Sequence, residues 1–174
     1  MCKKKITGYH GTTRENAEII VSSQHIIESD RNNDWLGRGV YFFAYKEHAF
    51  WWISHTRYTG QETRILSSDL EYNDEQILDL DDPKELETLD SLMKAAITAS
   101  NLSDNPTAAN LDTKQKRWCF ACNLIKNLQP QIGIIVHTFR DSGKRVQYKY
   151  SEFYGSQRQI CVSNPVIITN IQIV

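Results

Sequence analysis

The chain lacks any apolar run long enough to span a bilayer, and no hydrophobic segment follows its basic start: Lys3, Lys4 and Lys5 lead into Thr7 to Thr13, which is polar and carries glycine. No signal peptide and no membrane partner are therefore expected, and a cytoplasmic protein is the default. Charge of one sign is also lacking. With 20 Lys+Arg against 21 Asp+Glu the formal net charge is -1, so no overall field draws the protein to nucleic acid or to an anionic membrane. Any basic surface has to be local. Cysteine is scarce: of Cys2, Cys119, Cys122 and Cys161 only one pair has CxxC spacing, and zinc would want a second close pair. Cys119 and Cys122 fit better in an amphipathic helix over Lys114 to Leu128, with Trp118, Ala121, Leu124, Ile125 and Leu128, where a free cysteine acts as a small hydrophobe. No metal and no disulfide are expected.

What is present suits one globular domain, residues 1-174: the length is 174 residues, 40% of them apolar, enough to bury a core without staples. The chain is organised around Trp35 to Trp52. Gly37 and Gly39 flank Arg38 and permit a tight backbone approach, Val40-Tyr41-Phe42-Phe43 has the β-branched and aromatic character of a buried strand, and Glu47 to Trp52 reads as a helix. Tyr41 then stands where strand and helix diverge, at a place suited to stacking on a flat ring. Before it, Ile6 to Thr13 reads as a short strand ending in a polar turn, with Thr12 or Thr13 capping a helix from Arg14 to Val21. His10 falls at that strand's end, beside Gly11.

Further along, Ser22 to Asp34 is a polar connector, Arg64-Ile65-Leu66 and Gln76 to Leu80 read as strands, and Pro83 opens a helix capped by Asp81 or Asp82. Ser100 to Asp112 is the least ordered stretch by composition. Gly133 to Phe139 is a strand, Arg140 to Lys144 a turn, and Ser151 to Ser156 an exposed aromatic loop. Arg158 to Pro165 enters as a strand, and Val166 to Val174 is a strand-like run interrupted by Thr169-Asn170.

Tyr9-His10-Gly11-Thr12-Thr13, followed by Gly37-Arg38-Gly39-Val40-Tyr41-Phe42 and a downstream alanine with aromatic neighbours, resembles the diphtheria-toxin and poly(ADP-ribose) polymerase branch of the ADP-ribosyltransferases. The resemblance covers both ends of the chain and not Ile65 to Leu128. It implies an α+β fold in which split, mostly antiparallel β-sheets surround an NAD cleft, with peripheral helices from Arg14, Glu47, Pro83 and Lys114. In that family a His, a Tyr and a third residue, usually Glu, hold NAD. Aligning Ile160-Cys161-Val162 with the apolar residues after that Glu puts Gln159 in its place. A carboxamide keeps hydrogen-bonding capacity for ribose hydroxyls but has no charge to set against a developing oxocarbenium ion.

The chemistry so implied needs positioning groups rather than a protein nucleophile. Breaking the nicotinamide–ribose bond leaves positive charge on the sugar, so ring and ribose are fixed while an acceptor approaches the opposite face. His10 would hydrogen-bond a ribose hydroxyl, Gly11, Thr12 and Gly39 would lie along the dinucleotide, and Gly11 would offer its backbone to the nicotinamide amide. Tyr41 would stack on that ring, Trp51 or Trp52 would form the outer wall, and Gln159 would orient the ribose. NAD is then a co-substrate. Loss of the Glu implies transfer of a single ADP-ribose, or an inactive NAD-binding relic. Lys149, Tyr150, Phe153, Tyr154 and Arg158 mix aromatic and basic groups as an unpaired nucleic-acid strand requires, although a protein acceptor fits as well. A small stand-alone transferase also resembles toxins of toxin and antitoxin pairs and phage-defence effectors, which makes an antitoxin protein a partner to look for.

Overall fold

A computed structural model of the chain describes residues 3–55, 58, 60–102, 111–140 and 155–174, without the side chains of 100–102. Among them the elements run β1 (Lys4–Thr13), α1 (Arg14–Ser23), β2 (Val40–Phe43), α2 (Lys46–His55), β3 (Thr63–Tyr72), β4 (Ile77–Asp79), α3 (Pro83–Leu102), α4 (Lys114–Leu128), β5 (Ile134–Arg140), β6 (Ser156–Val162) and β7 (Ile168–Ile173). The strands form one sheet in the order β4-β5-β6-β2-β1-β3-β7. All neighbours are antiparallel except β4 and β5.

The class is therefore α+β, but the two sheets that were expected are one hydrogen-bonded sheet with a weak seam. β1 and β3 stay in register from Lys4↔Tyr72 to Thr13↔Thr63, and β2 and β6 from Val40↔Val162 to Phe43↔Gln159. β1 and β2 are joined only at Tyr9↔Phe43. Beyond that pair the two strands diverge and the sheet opens.

Alternation along the strands sends side chains to both faces, and both are covered. On one face Val40, Phe42, Leu66, Leu70, Ile134, Val136, Ile160 and Val162 pack under Ala17 and Ile20 of α1. On the other, Ile135, Phe139 and Cys161 pack under Leu89 of α3 and Ala121, Cys122 and Ile125 of α4. Phe43 and Ile65 meet Ala49 and Ile53 of α2 in a separate cluster. Gly11 permits that last contact, since a Cβ there would lie 2.3 Å from Ile53 Cγ2. The CxxC pair is buried on α4, as the helix pattern required.

Tertiary pairing lengthens several elements beyond their local signals. β1 continues through His10 to Thr13 instead of turning, because β3 supplies partners along its whole length. The α1 cap is Thr13, whose Oγ1 accepts from Asn16 N at 3.3 Å. β3 runs past Leu66 through Ser67, Ser68 and Asp69, polar residues held in the sheet between β1 and β7. Thr169-Asn170 does not interrupt β7; Asn170 takes a positive φ of 51° where the register against Ser67 and Asp69 shifts. Asp82 caps α3, with Oδ1 accepting from Lys84 N at 2.9 Å, while Asp81 is used elsewhere. α3 reaches Leu102, inside the stretch read as least ordered; residues 103–110 of that stretch, and 141–154 with the turn and aromatic loop, lie outside the described residues. No helix among the described residues is long and apolar enough to cross a membrane.

Candidate active site

The site is built at the seam. Ala44 N donates to Arg158 O at 3.0 Å, so the even-numbered residues of β2 turn their backbone groups to β6 and the odd-numbered ones, Tyr41 and Phe43, turn theirs to β1. Phe43 meets Tyr9, and the next rung would pair Tyr41 with Gly11. That rung is missing. In its place the Nδ1 of His10 stands 2.8 Å from the carbonyl oxygen of Tyr41. A carbonyl only accepts, so Nδ1 carries the proton, and in the neutral ring Nε2 is left with a lone pair. Gly11, two residues after Tyr9, turns its N–H and C=O toward the same gap. The Phe42 ring steadies the imidazole from the side, edge to face at 6.0 Å.

Around the gap lies a cleft of about 910 Å³. His10, Gly11, Thr12, Gly39, Tyr41, Trp51 and Gln159 all line it, so every residue expected to touch the dinucleotide reaches one space. They arrive from β1, β2, α2, β6 and the turn before β2. Trp52 lines it too, and packs against the α2 cluster beside Tyr58. Trp51 is stacked on His55 at 4.8 Å with the rings 10° apart. The polar connector 25–34 forms another wall through Glu28, Ser29, Asp30 and Arg31.

Opposite the gap, the turn that leads into β2 is held by many bonds. Tyr41 Oη accepts from Leu36 N at 2.8 Å and donates to Gly37 O at 2.7 Å. Asn123 Oδ1 on α4 accepts from Arg38 N at 2.8 Å, and Lys126 Nζ donates to Leu36 O at 2.9 Å and Arg38 O at 2.6 Å. Gly39, with φ +152°, passes so close to β6 that a Cβ would lie 2.7 Å from Cys161 Sγ and from Val162 O. Ser29 and Gly39 exchange backbone hydrogen bonds of 2.9 and 3.0 Å, which tie the connector to the turn. The Arg38 side chain points away to Glu28, at 2.8 Å.

Burial pushes the Tyr41 phenol well above its ordinary value, so it is a neutral, fixed ring and not a base. Burial also raises the thiols, Cys122 to about 12 and Cys119 and Cys161 in the same direction, which leaves them unsuited to nucleophilic or redox work.

The acceptor-side expectations fare differently. Lys149, Tyr150, Phe153 and Tyr154 lie outside the described residues. Alternation along β6 turns Arg158 to the face opposite Gln157 and Gln159, where it binds Asp81 and, at 2.7 Å, Asp79 and is not among the residues lining the cleft. Asp81 also accepts from Thr138 N at 2.8 Å and Thr138 Oγ1 at 2.6 Å, and lies 2.9 Å from His137 Nδ1. Trp35, Asn123, Lys126 and Gln157 were not singled out from the sequence as site residues. Trp35 carried a signal, an aromatic at the head of the glycine turn. Asn123 and Lys126 carried none, since two polar residues on an amphipathic helix read as a solvated face.

Over 49 residues the chain is 49% identical to uncharacterized protein MJ0359 of Methanocaldococcus jannaschii, a match covering 28% of this chain and 23% of that protein. No protein-family model matches the chain. No solved structure matches it.

Proposed function

We propose that this protein is a mono-ADP-ribosyltransferase that uses NAD as co-substrate and transfers one ADP-ribose to a macromolecular acceptor, nucleic acid in preference to protein. The observation that carries the reading is the convergence of His10, Tyr41 and Gln159, from three separate strands, on one cleft at the sheet's seam. In this reading the cleft belongs to the ADP-ribosyltransferase architecture, the weak β1–β2 joint being where that fold splits. The cleft volume suits a dinucleotide.

Nε2 of His10, in the tautomer set by the Tyr41 carbonyl, accepts from a ribose hydroxyl. The Gly11 backbone brackets the nicotinamide carboxamide, and the Tyr41 ring, immobilised through its own hydroxyl, gives the nicotinamide a flat wall. The C1′–N bond breaks with its electron pair leaving on nicotinamide. An acceptor oxygen or nitrogen then forms the new bond to C1′ and loses its proton to water. Gln159 orients the ribose, and its neutral carboxamide limits charge stabilisation, consistent with a single transfer. Such an enzyme fits the work of a toxin or an anti-phage effector.

The same Gln159 favours a second reading, a module that binds NAD or ADP-ribose without turnover. Incubation with NAD labelled on the adenylate, together with RNA, DNA and protein, followed by separate nuclease and protease digestion, distinguishes the two. Label in a macromolecule that disappears with His10→Ala supports transfer. A thermal shift with NAD and no label anywhere supports the module, and no shift at all refutes both.

A further inference from the structure

Among the described residues an aromatic side chain stands at the cleft on the turn before β2. Trp35 is 37% exposed, lines the cleft, and stands on the turn that Tyr41, Asn123 and Lys126 hold rigid. It is also braced by other rings. Phe139 meets it at 4.6 Å with the rings 62° apart, Trp118 meets it at 5.8 Å and 68°, and Phe139 and Trp118 touch each other at 5.4 Å. Inclined neighbours of this kind fix a ring without lying parallel to it. A ring held this firmly on the wall of the cleft offers a fixed apolar surface to whatever enters it.

What surrounds it indicates the occupant. Gln157, the cross-strand partner of Phe139, lines the same cleft and offers both a donor and an acceptor. Lys114 Nζ lies 4.5 Å above the Trp118 ring, which puts a cation at the rim of the cluster. A flat stacking surface, an amide beside it and a cation beyond it match a base and its phosphate more closely than they match an aliphatic or acidic side chain.

We propose that Trp35 is the platform on which an unpaired base of the acceptor strand stacks, so that the acceptor is single-stranded nucleic acid delivered along the Trp35, Gln157 and Lys114 side of the cleft. The proposal rests on the transferase reading for its purpose, but the binding it requires does not need NAD. A paired base has both faces covered by its neighbours and cannot stack there, so a duplex is a poor acceptor.

The test uses the full chain and its tryptophan fluorescence. Short single-stranded oligothymidylate and oligouridylate quench the emission and bind in the absence of NAD, and matched duplexes bind more weakly. Trp35→Ala weakens single-strand binding roughly 5- to 150-fold, the contribution of one base–aromatic stack. Trp35→Phe keeps most of the affinity, and Lys114→Glu, at an exposed position, weakens it and flattens its salt dependence. The NAD thermal shift stays as in wild type for Lys114→Glu, which lies outside the cleft lining. Absence of oligonucleotide binding, binding by Trp35→Ala equal to wild type, or label found only in protein and unaffected by Trp35→Ala overturns the platform. Oligonucleotide binding that depends on Trp35, with no NAD shift in wild type, supports the platform and refutes the transferase reading. The DNA and RNA arms separate the two acceptor chemistries.

Discussion

The two sides of β2 are built on opposite plans. Toward β6 every residue of the strand is paired, from Val40↔Val162 to Phe43↔Gln159, and α4 reaches over the preceding turn to hold its carbonyls with Lys126 and its N–H with Asn123. Toward β1 one pair closes the seam, and a histidine side chain replaces the next rung. Redundancy on one side lets the other open. A cleft in the middle of a sheet leaves backbone groups without strand partners, and it is tolerated here because the wall carrying Tyr41 is fixed from behind.

The first way to break this contrast is to attack the rigid side at its tightest approach. Gly39→Ala forces a Cβ to 2.7 Å from the Val162 carbonyl at a φ of +152°, where side chains are strained whatever the space. Backbone on one side and a buried sulfur on the other cannot both yield, so a loss of about 3 kcal/mol or more is expected in urea unfolding, with loss of any NAD-induced shift.

Lys126→Met comes next. It keeps an unbranched stem but removes the donors to Leu36 O and Arg38 O, leaving two carbonyls short of partners. A destabilisation of about 2 kcal/mol follows from charged donors lost at a half-buried site. If the turn is what holds Tyr41 in place, the variant at a temperature where it is still folded shows weaker NAD binding although Lys126 is not among the residues lining the cleft. Undiminished NAD binding would show that the turn does not need its clamp.

The clamp also marks the limit of what the sequence disclosed. The glycine turn, the strand after it and the helix beyond were legible because each rests on local chemistry: positive φ, β-branching, helix-forming residues. His10, Tyr41 and Gln159 were legible through motif resemblance, and they do reach one cleft. The seam was not legible, because whether two strands pair at one residue or at four depends on what lies across them. The place of Arg158 was not legible for a related reason. Its charge grouped it with Lys149, Tyr150, Phe153 and Tyr154, and only the strand's period of two puts it on the face opposite Gln157 and Gln159, against Asp79 and Asp81.

Arg158 and its carboxylate partners supply a third test, on the far edge of the rigid half. Burial works against ionisation of Asp81, but the Thr138 hydrogen bonds and the charges of Arg158 and His137 outweigh it and hold the carboxyl below its ordinary value. A carboxyl with a depressed folded pKa stabilises the protein above its unfolded pKa, about 3.9, and loses that contribution as pH falls through the folded value. Asp81→Asn should therefore cost about 1 to 2 kcal/mol at neutral pH and much less near pH 3. A difference between the two proteins that does not shrink on acidification would mean that Asp81 acts by shape and not by charge.

The smallest expected effect on stability belongs to the open side. His10 hydrogen-bonds across the seam and meets Phe42 edge to face, in a half-buried position where water can reach the Tyr41 carbonyl once the ring is gone. His10→Ala should lower stability by no more than about 1 kcal/mol. The same change removes the acceptor nitrogen that the dinucleotide ribose would meet, so NAD-induced stabilisation and label transfer should vanish while the urea midpoint barely moves. His10→Gln sharpens the test, since an amide can replace the bond to Tyr41 without reproducing the imidazole's second nitrogen at the same reach: it should restore stability and not restore transfer. If His10→Ala instead unfolds the protein as severely as Gly39→Ala does, the histidine is a rung of the sheet and the seam is a structural joint with no ligand to hold.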